Sequence, residues 1–444
     1  MKDGSVIYVD KAGRKNERGI TIVLVAFSLL ALLGMAALAI DVSTLYVAHG
    51  EAQRAADAAA LAGARMFASS GYTTAPTSLA PADICQTSAA PGADAAANRQ
   101  AEAAAAQNLV AGQPAAVKSI TCITTAANPQ IAVTVQRTAL PTFFGRIWGG
   151  TANSVTATAV AEAYNPSGSA APVQVQGVKP WLIPDCDPSN AGVGDCAAGG
   201  RFVDPADGSI QNNGSFVGKT ITLVHVTGGA APNVTTTAPL TLNYFRATVP
   251  IRPPAPVCPS TSAVGCAQVG SDDYHDNIAC SSTFQFSCGQ TIGAGQPVNV
   301  AGGSGVLTNQ GTQCLIHATG QGTGFGQDVL ADVVVPNPPV TITGGDNNPN
   351  PVLQGATNIS RSDSVVTVPI YHSVANVNLC PGGACTGTGT IVGFMQLGIT
   401  QNATGANGQV EGIVMNVAGC NPGAGNPVVS GGGVSPIPVR LIHQ

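Results

Sequence analysis

The chain has 444 residues, of which only 9% are charged and 44% are apolar, against roughly 25% charge in ordinary soluble domains. That length suits two or three domains with sizeable cores, and the apolar content excludes disorder of the charged, low-hydropathy kind. A net charge of −5 with 18 Lys and Arg excludes an electrostatic nucleic-acid footprint, and the neutral Thr/Asn/Gly-rich composition points outside the cytoplasm.

Lys2, Lys11, Arg14, Lys15 and Arg18 come first, followed by 22 uncharged residues, Gly19 to Ile40. As a helix this run is about 33 Å long, enough to cross a bilayer. Asp41 closes it, and the next cation is Arg54. The asymmetry predicts a cytoplasmic tail over 1–18, a single inner-membrane span over 19–40, and a periplasmic or extracellular remainder. The alternative is a cleaved signal peptide. Ala37-Leu38-Ala39 has the A-x-A form, although the apolar run is long for such a peptide.

Asp41 to Ser69 reads as an Ala-rich helix with one interruption at Gly50. Ala55, Ala59 and Gly63 recur every four residues and form a small-residue stripe, with Ala52, Ala56 and Ala60 beside it. The stripe has two readings. One is an Ala helix formed on propensity alone, and the other is a seam for self-association or a partner subunit next to the membrane.

Arg18-Gly19, the apolar span, Asp41, Tyr46, Gln53 and the run Ala55-Ala56-Asp57-Ala58-Ala59-Ala60-Leu61-Ala62-Gly63-Ala64 resemble the amino-terminal module of TadE/TadG-like proteins. These serve the tight-adherence (Flp) pilus assembly systems of bacteria. A looser resemblance continues through the Ala-rich stretch Ala95 to Leu109, the alternating run Ile131 to Val135, Thr142 to Gly149 and Val155 to Ala161, giving a small helical α+β module over 41–164. The resemblance implies a bitopic envelope protein with other pilus-assembly proteins as partners. Pilin-like members are cut after a Gly and typically carry Glu five residues on. Here Leu24 stands five residues after Gly19, which favours an uncleaved, TadG-like chain. Some TadG-like proteins add a von Willebrand A domain whose metal site begins Asp-x-Ser-x-Ser. Asp41-Val42-Ser43-Thr44-Leu45 lacks the last Ser, and that domain is not expected.

From Asn165 the composition turns to Pro, Gly, Thr, Val and Asn. Short β-branched runs at Ile221 to Val226, Val329 to Val335, Val365 to Ile370, Ile391 to Leu397 and Val410 to Val417, bounded by Gly, Pro or Asn, read as strands between turns. They predict a β-rich exported domain over 165–444. All twelve Cys lie after residue 84, and sequence proximity couples Cys186 with Cys196, Cys258 with Cys266, Cys280 with Cys288 and Cys380 with Cys385. Cys85 with Cys122 and Cys314 with Cys420 remain. In an oxidising compartment these are disulfide candidates, each short loop worth about 2–3 kcal/mol in the chain-entropy model, although sequence does not fix connectivity. Zinc is the weaker reading, because no C-x-x-C occurs and the six His are scattered.

Gly214-Ser215-Phe216-Val217-Gly218-Lys219-Thr220 is one residue short of a phosphate loop and reads as a turn before a strand. Asp272, Asp273 and Asp276, with His275 among them, are calcium candidates or a solvated acidic loop. Asp204 to Gly208 and Asp346 to Asn348 read equally as calcium loops or Asx turns. Neither G-x-S-x-G nor H-E-x-x-H is present, while a distant carboxylate pair for glycoside hydrolysis stays open. The expected fold is α+β: a transmembrane helix with an Ala-rich extension, a small α+β module, and a disulfide-stapled β-rich domain. With the resemblance, the expected function is a membrane-anchored structural component of Flp pilus assembly, a scaffold or anchor without catalytic site or cofactor. The alternative is a surface adhesin-like binding protein that uses the amino-terminal segment only for export and anchoring.

Overall fold

The computed structural model describes residues 17–76, 79–125, 128–140, 153–167, 173–190, 200–226, 234–235, 239–249, 266–267, 269–270, 272–331, 341–372, 378–402, 408–421, 429–430 and 435–442. The cationic tail before Glu17, the stretch Thr142 to Gly149, Asp332 to Val335, Cys196 and Cys258 lie outside the described residues.

Helix α1 (Glu17–Ser69) is a single helix of 53 residues, about 80 Å long at ~1.5 Å per residue. The interruption expected at Gly50 does not occur. One glycine in a helix costs about 1 kcal/mol, and the Ala, Glu and Gln around Gly50 restore that propensity. The first half of α1 stands free, with Ile20, Ile22, Leu24, Phe27 and Leu30 more than half exposed. From Ala48 onward it is packed, and Ala52, Ala55, Ala56, Ala59, Ala60, Ala64 and Phe67 are buried.

The packing partners are a helix and a sheet. Helix α2 (Ala96–Gln107) turns Ala97, Ala101 and Ala105 inward, the four-residue spacing of a helix face. Strands β1 (Ala116–Ile123), β2 (Gln130–Leu140) and β3 (Asn153–Ala163) form an antiparallel meander. Ile131, Val133 and Val135 alternate into the core as a half-buried strand requires. The last described strand, Val439–Ile442, completes this sheet by pairing with β3, so the chain returns to the first module. A disulfide between Cys85 and Cys122 ties β1 to the loop that precedes α2.

The middle of the chain closes into a barrel. Its strands are β4 (Trp181–Pro184), β5 (Thr220–His225), β6 (Thr241–Thr248), β7 (Val365–His372), β8 (Thr388–Asn402) and β9 (Val410–Gly419). Around the ring the order is β8, β7, β4, β6, β5, β9 and back to β8. The β7–β4 and β6–β5 contacts are parallel and the others antiparallel. Closure removes the unpaired edges of the ring. All six strands feed one apolar cluster, with Trp181, Ile221, Leu242, Val368, Leu397 and Val414 among its members. Leu182, Phe245, Tyr371 and Phe394 face a second cluster with Phe284 and Phe286. The expected strands at 221, 365, 391 and 410 are therefore all barrel staves. Val329–Ala331 is a short strand paired with Thr341–Thr343. The Gly214 to Thr220 stretch is a turn into β5, pinned by Gly218 N–H to Val414 O at 2.7 Å.

Helices α3 (Asp273–Ala279) and α4 (Gly305–Leu315) pack on the barrel. Tyr244 and Tyr274 place their hydroxyls 2.9 Å from the hydroxyl of Thr308 on α4.

The described cysteines are all disulfide-bonded. Cys85–Cys122 and Cys380–Cys385 follow sequence proximity, but two longer bridges do not. Cys266 joins Cys314, and Cys288 joins Cys420 across 132 residues, which overturns the couples Cys258/Cys266, Cys280/Cys288 and Cys314/Cys420. Cys314 lies on α4 and Cys420 follows β9, so the fold brings together cysteines that are distant in sequence. A loop of that size is worth about 5 kcal/mol in the chain-entropy model.

The tightest contact of the first module is at Gly63. A Cβ there would lie 2.7 Å from Ile131 Cδ1 and 3.2 Å from Ala97 O. Gly63→Leu is expected to destabilise the first module by about 1–3 kcal/mol through overpacking, read as a lower melting temperature by circular dichroism, whereas Gly50→Ala should be neutral or stabilising.

Candidate functional site

The segment with the clearest functional character is α1 and the surface that receives it. Gly19 to Ile40 presents apolar side chains to every side, and only 6% of its most apolar 18-residue window is buried. Among the described residues, α1 is the one helix long and apolar enough to cross a membrane. Between Asp41 and Gly50 the helix is mostly exposed, with Asp41 and Leu45 half-buried and Ala48 buried. The Ser43 and Thr44 hydroxyls donate back to the carbonyls of Ile40 and Asp41 at 2.9 and 2.8 Å, which satisfies them without a partner from outside. At Glu51 the side chain reaches across and accepts the backbone N–H of Ala111 at 2.7 Å.

Beyond Glu51 the helix is locked. Gln53 Nε2 donates to Asp57 Oδ1 at 2.9 Å, one turn on, and to Thr158 O of β3 at 3.3 Å. At the far end Asn416 of β9, fully buried, donates its amide to Ala68 O, one of the last helix carbonyls, which have no intrahelical partner. Thr74 donates to Val417 O at 2.9 Å, and Asn165 Nδ2 donates to Thr73 O and Val417 O at 3.1 and 3.2 Å. The membrane helix is thus bonded at its end to a barrel strand.

Residues 19–66 match the family model described as putative Flp pilus-assembly TadE/G-like. This segment is similar to the Tad module. It coincides with α1 almost to its end, covering the exposed span and the buried Ala/Gly face together. The match supports a role related to Flp pilus assembly for a membrane-anchored envelope protein. Comparisons with curated proteins and with solved structures gave no match, and the barrel carries no family assignment.

Within the matched segment the stripe Ala55, Ala59 and Gly63 packs inside its own chain. Ala55 and Ala59 have no exposed surface, and Gly63 abuts Ile131 and Ala97 of the same chain. Small residues allow close approach, and the chain's own α2 and sheet fill the space. Past Glu51 the exposed positions of α1 are Arg54 and Arg65, off this stripe.

The calcium candidates have other work. Asp272 is the N-cap of α3, accepting Tyr274 N–H at 2.8 Å and His275 N–H at 3.2 Å, and it lies 3.6 Å from the Arg246 guanidinium. Asp276 accepts Gly270 N–H at 3.0 and 3.1 Å and stands 3.2 Å from His275 Nδ1. Asp273 is exposed. No group of three or more His, Cys, Asp or Glu among the described residues is placed to hold a metal. Asp204 and Asp207 make Asx turns, accepting Ala206 and Ser209 N–H at 2.9 and 2.8 Å.

Lys179, Asp185 and Asp187 are among the buried charges that escaped the sequence reading. Lys179 donates to Ile278 O and Cys280 O at 2.7 and 2.9 Å, closing the carboxy end of α3, and burial lowers its pKa to about 8. Asp185 accepts Phe202 and Val203 N–H at 3.0 and 3.1 Å, and burial raises its carboxyl to about 7. Burial raises Asp187 as well, and Ser189 donates to it from backbone and hydroxyl at 2.8 and 2.6 Å. The only signal in the sequence was the acid–Cys–acid run at 185–187. These groups organise backbone and do not converge on a cleft.

Because the folded Asp185 carboxyl titrates near 7 and the unfolded one near 3.8, the folded chain holds a proton that the unfolded chain releases between those values. The stability this provides is complete below pH 3.8 and is lost as pH rises to about 7. Asp185→Asn keeps the acceptor oxygen and removes the charge. Its stability relative to wild type is expected to improve between pH 4 and pH 7 at up to about 1.4 kcal/mol per unit, measured by denaturant unfolding without reductant.

Proposed function

We propose that this protein is a single-pass scaffold of a Flp (tight-adherence) pilus system, anchored in the inner membrane with its amino terminus in the cytoplasm and its folded body on the other side. The observation that carries this reading is the unbroken α1. The same helix that exposes an apolar face over Gly19 to Ile40 is buried from Ala52 to Phe67 and held by Asn416 at Ala68. An anchor built this way fixes the barrel at a set height and orientation, whereas a flexible tether would only keep it nearby. The cations ahead of the span favour the cytoplasm for that end. The bonded cysteines of the body suit an oxidising compartment. The role is structural rather than catalytic: the barrel offers surface to other pilus-assembly proteins, and its buried polar residues serve the fold.

Replacing residues 1–40 by a cleaved signal peptide tests the anchor. The released chain is expected to fold with its disulfides, because the described packing starts at Ala48, yet pilus output measured as sheared pilin should fall by about tenfold or more. A heterologous span joined in helical register at Asp41 should restore it. Undiminished pili from the released chain would overturn the anchoring role. Digestion of the barrel by protease added to intact cells would favour the adhesin-like alternative.

A further inference from the structure

The sheet of the first module has two outer edges, and they differ. The β1 edge is guarded. Ser88 and Ile120 exchange backbone hydrogen bonds of 2.9 and 2.8 Å across it, and Thr87 Oγ1 accepts the N–H of Cys122 at 3.0 Å. The Cys85–Cys122 disulfide holds that covering chain in place. A register shift between Val117 and Ser119 and the exposed Lys118 add to the guard, a bulge and a lysine being devices that keep a foreign strand off an edge.

The β3 edge has none of these devices over most of its length. Val439–Ile442 covers only Val160 to Ala163. Asn153 to Ala159, about 20 Å of strand, has no strand beside it on that side among the described residues. This run carries no charge and no Pro, and it pairs with β2 without a register shift from Val155 onward. The alternation of an antiparallel strand fixes which groups face outward. Tyr164 N–H bonds Pro438 O at 3.0 Å on the outer side, whereas Ala163 N–H bonds Pro129 O at 3.1 Å on the inner side. Thr158 O shares the parity of Tyr164 and is met by Gln53 Nε2 of α1 at 3.3 Å. Ser154 and Thr156 share it too, and each turns its N–H and C=O to the edge.

Helix α1 flanks this edge. Gln53 meets Thr158, and Gly63 meets Ile131, the β2 partner of Ala161, so β3 runs in the same direction as α1. Tyr46 and His49 share the helix face of Gln53 by their spacing, and both are exposed, Tyr46 at 81%. A strand added beside β3 has Tyr46 and His49 on one face and the exposed Thr156 and Thr158 on the other.

We propose that the free edge of β3, Ser154 to Thr158, is a strand-addition site for an extended segment of another exported protein. That segment pairs antiparallel, end to end with Val439–Ile442. It is uncharged, with apolar side chains at alternate positions toward α1 and hydroxyl-bearing or small ones beside Thr156 and Thr158. Continuity with a strand already seated on the same edge argues for a strand as the occupant. A second copy does not fit. A two-fold axis that pairs two such edges antiparallel points the two α1 spans through the membrane in opposite directions. Parallel pairing of identical edges needs a one-residue stagger, which sets the spans ~3.3 Å apart in depth. The exclusion of a second copy depends on α1 spanning the membrane, whereas the free edge does not.

The test places a benzophenone amino acid at Thr158 of the full chain in pilus-assembling cells, with Lys118 as the control position. Irradiation is expected to give an adduct at 158 and none at 118. Mass spectrometry should assign the crosslinked peptide to another exported protein and find it uncharged, with alternating apolar residues. Thr156→Pro removes an outward N–H without breaking a bond to β2 and is expected to lower the adduct by about fivefold or more, while Thr156→Val leaves it unchanged. Thr156→Lys, which gives this edge the guard of the other, is a second variant with the same expected loss. Trypsin resistance and non-reducing gels check the folding of each. An adduct that survives both Thr156→Pro and Thr156→Lys would show contact through side chains alone and overturn strand addition. An adduct to peptides of this chain, within one copy or between two, would also overturn it, as would no adduct above the control. Extraction of the chain from membranes by alkaline carbonate would instead refute the spanning helix.

Discussion

The structure depends on how closely the buried face of α1 approaches its own sheet. At Gly63 there is no room for even a methyl group beside Ile131 and Ala97, and the neighbouring positions are alanines with no exposed surface. A face this small gives little area per residue. Its strength comes from many short contacts at interior packing density, closed at the far end by the buried Phe67 and Tyr72, 5.9 Å apart. Because β3 also receives the last described strand and Ala68 is held by β9, the same contact links the membrane span, the sheet and the barrel.

Local patterns were legible and long-range pairings were not. The span, the Ala-rich helices and the barrel staves around Val365, Ile391 and Val410 each declare themselves within one window, through absence of charge, small-residue spacing or β-branched runs between turn residues. Gly50 misled because one weak helix former does not break a helix whose flanks are strong. The spacing of Ala55, Ala59 and Gly63 announces a close approach but says nothing about which chain approaches. The Cys266–Cys314 and Cys288–Cys420 bridges and the Thr74–Asn416–Asn165 junction are products of topology, and no local signal in the sequence carries them.

The low charge has a structural counterpart. Between Ile251 and Val439 the only Lys or Arg residues are Arg252 and Arg361, and the interior relies on groups bonded to backbone. Lys179 closes α3, Asp185 gathers Phe202 and Val203, and Asn416 serves α1. Each of these buried polar groups is held by hydrogen bonds, which offset much of the cost of burial. Ion pairs such as Arg440 with Glu162 at 2.5 Å reinforce the sheet in the first module.

The central claim is that one rigid helix passes from the bilayer into the body of the protein. Hydrogen–deuterium exchange of the membrane-reconstituted chain measures this directly at the backbone amides of Val42 to Glu51. The account predicts protection there comparable to Ala52 through Met66, with no break at Gly50. Exchange of Val42 to Gly50 at unprotected rates, between a protected span and a protected body, would show a hinge and contradict it.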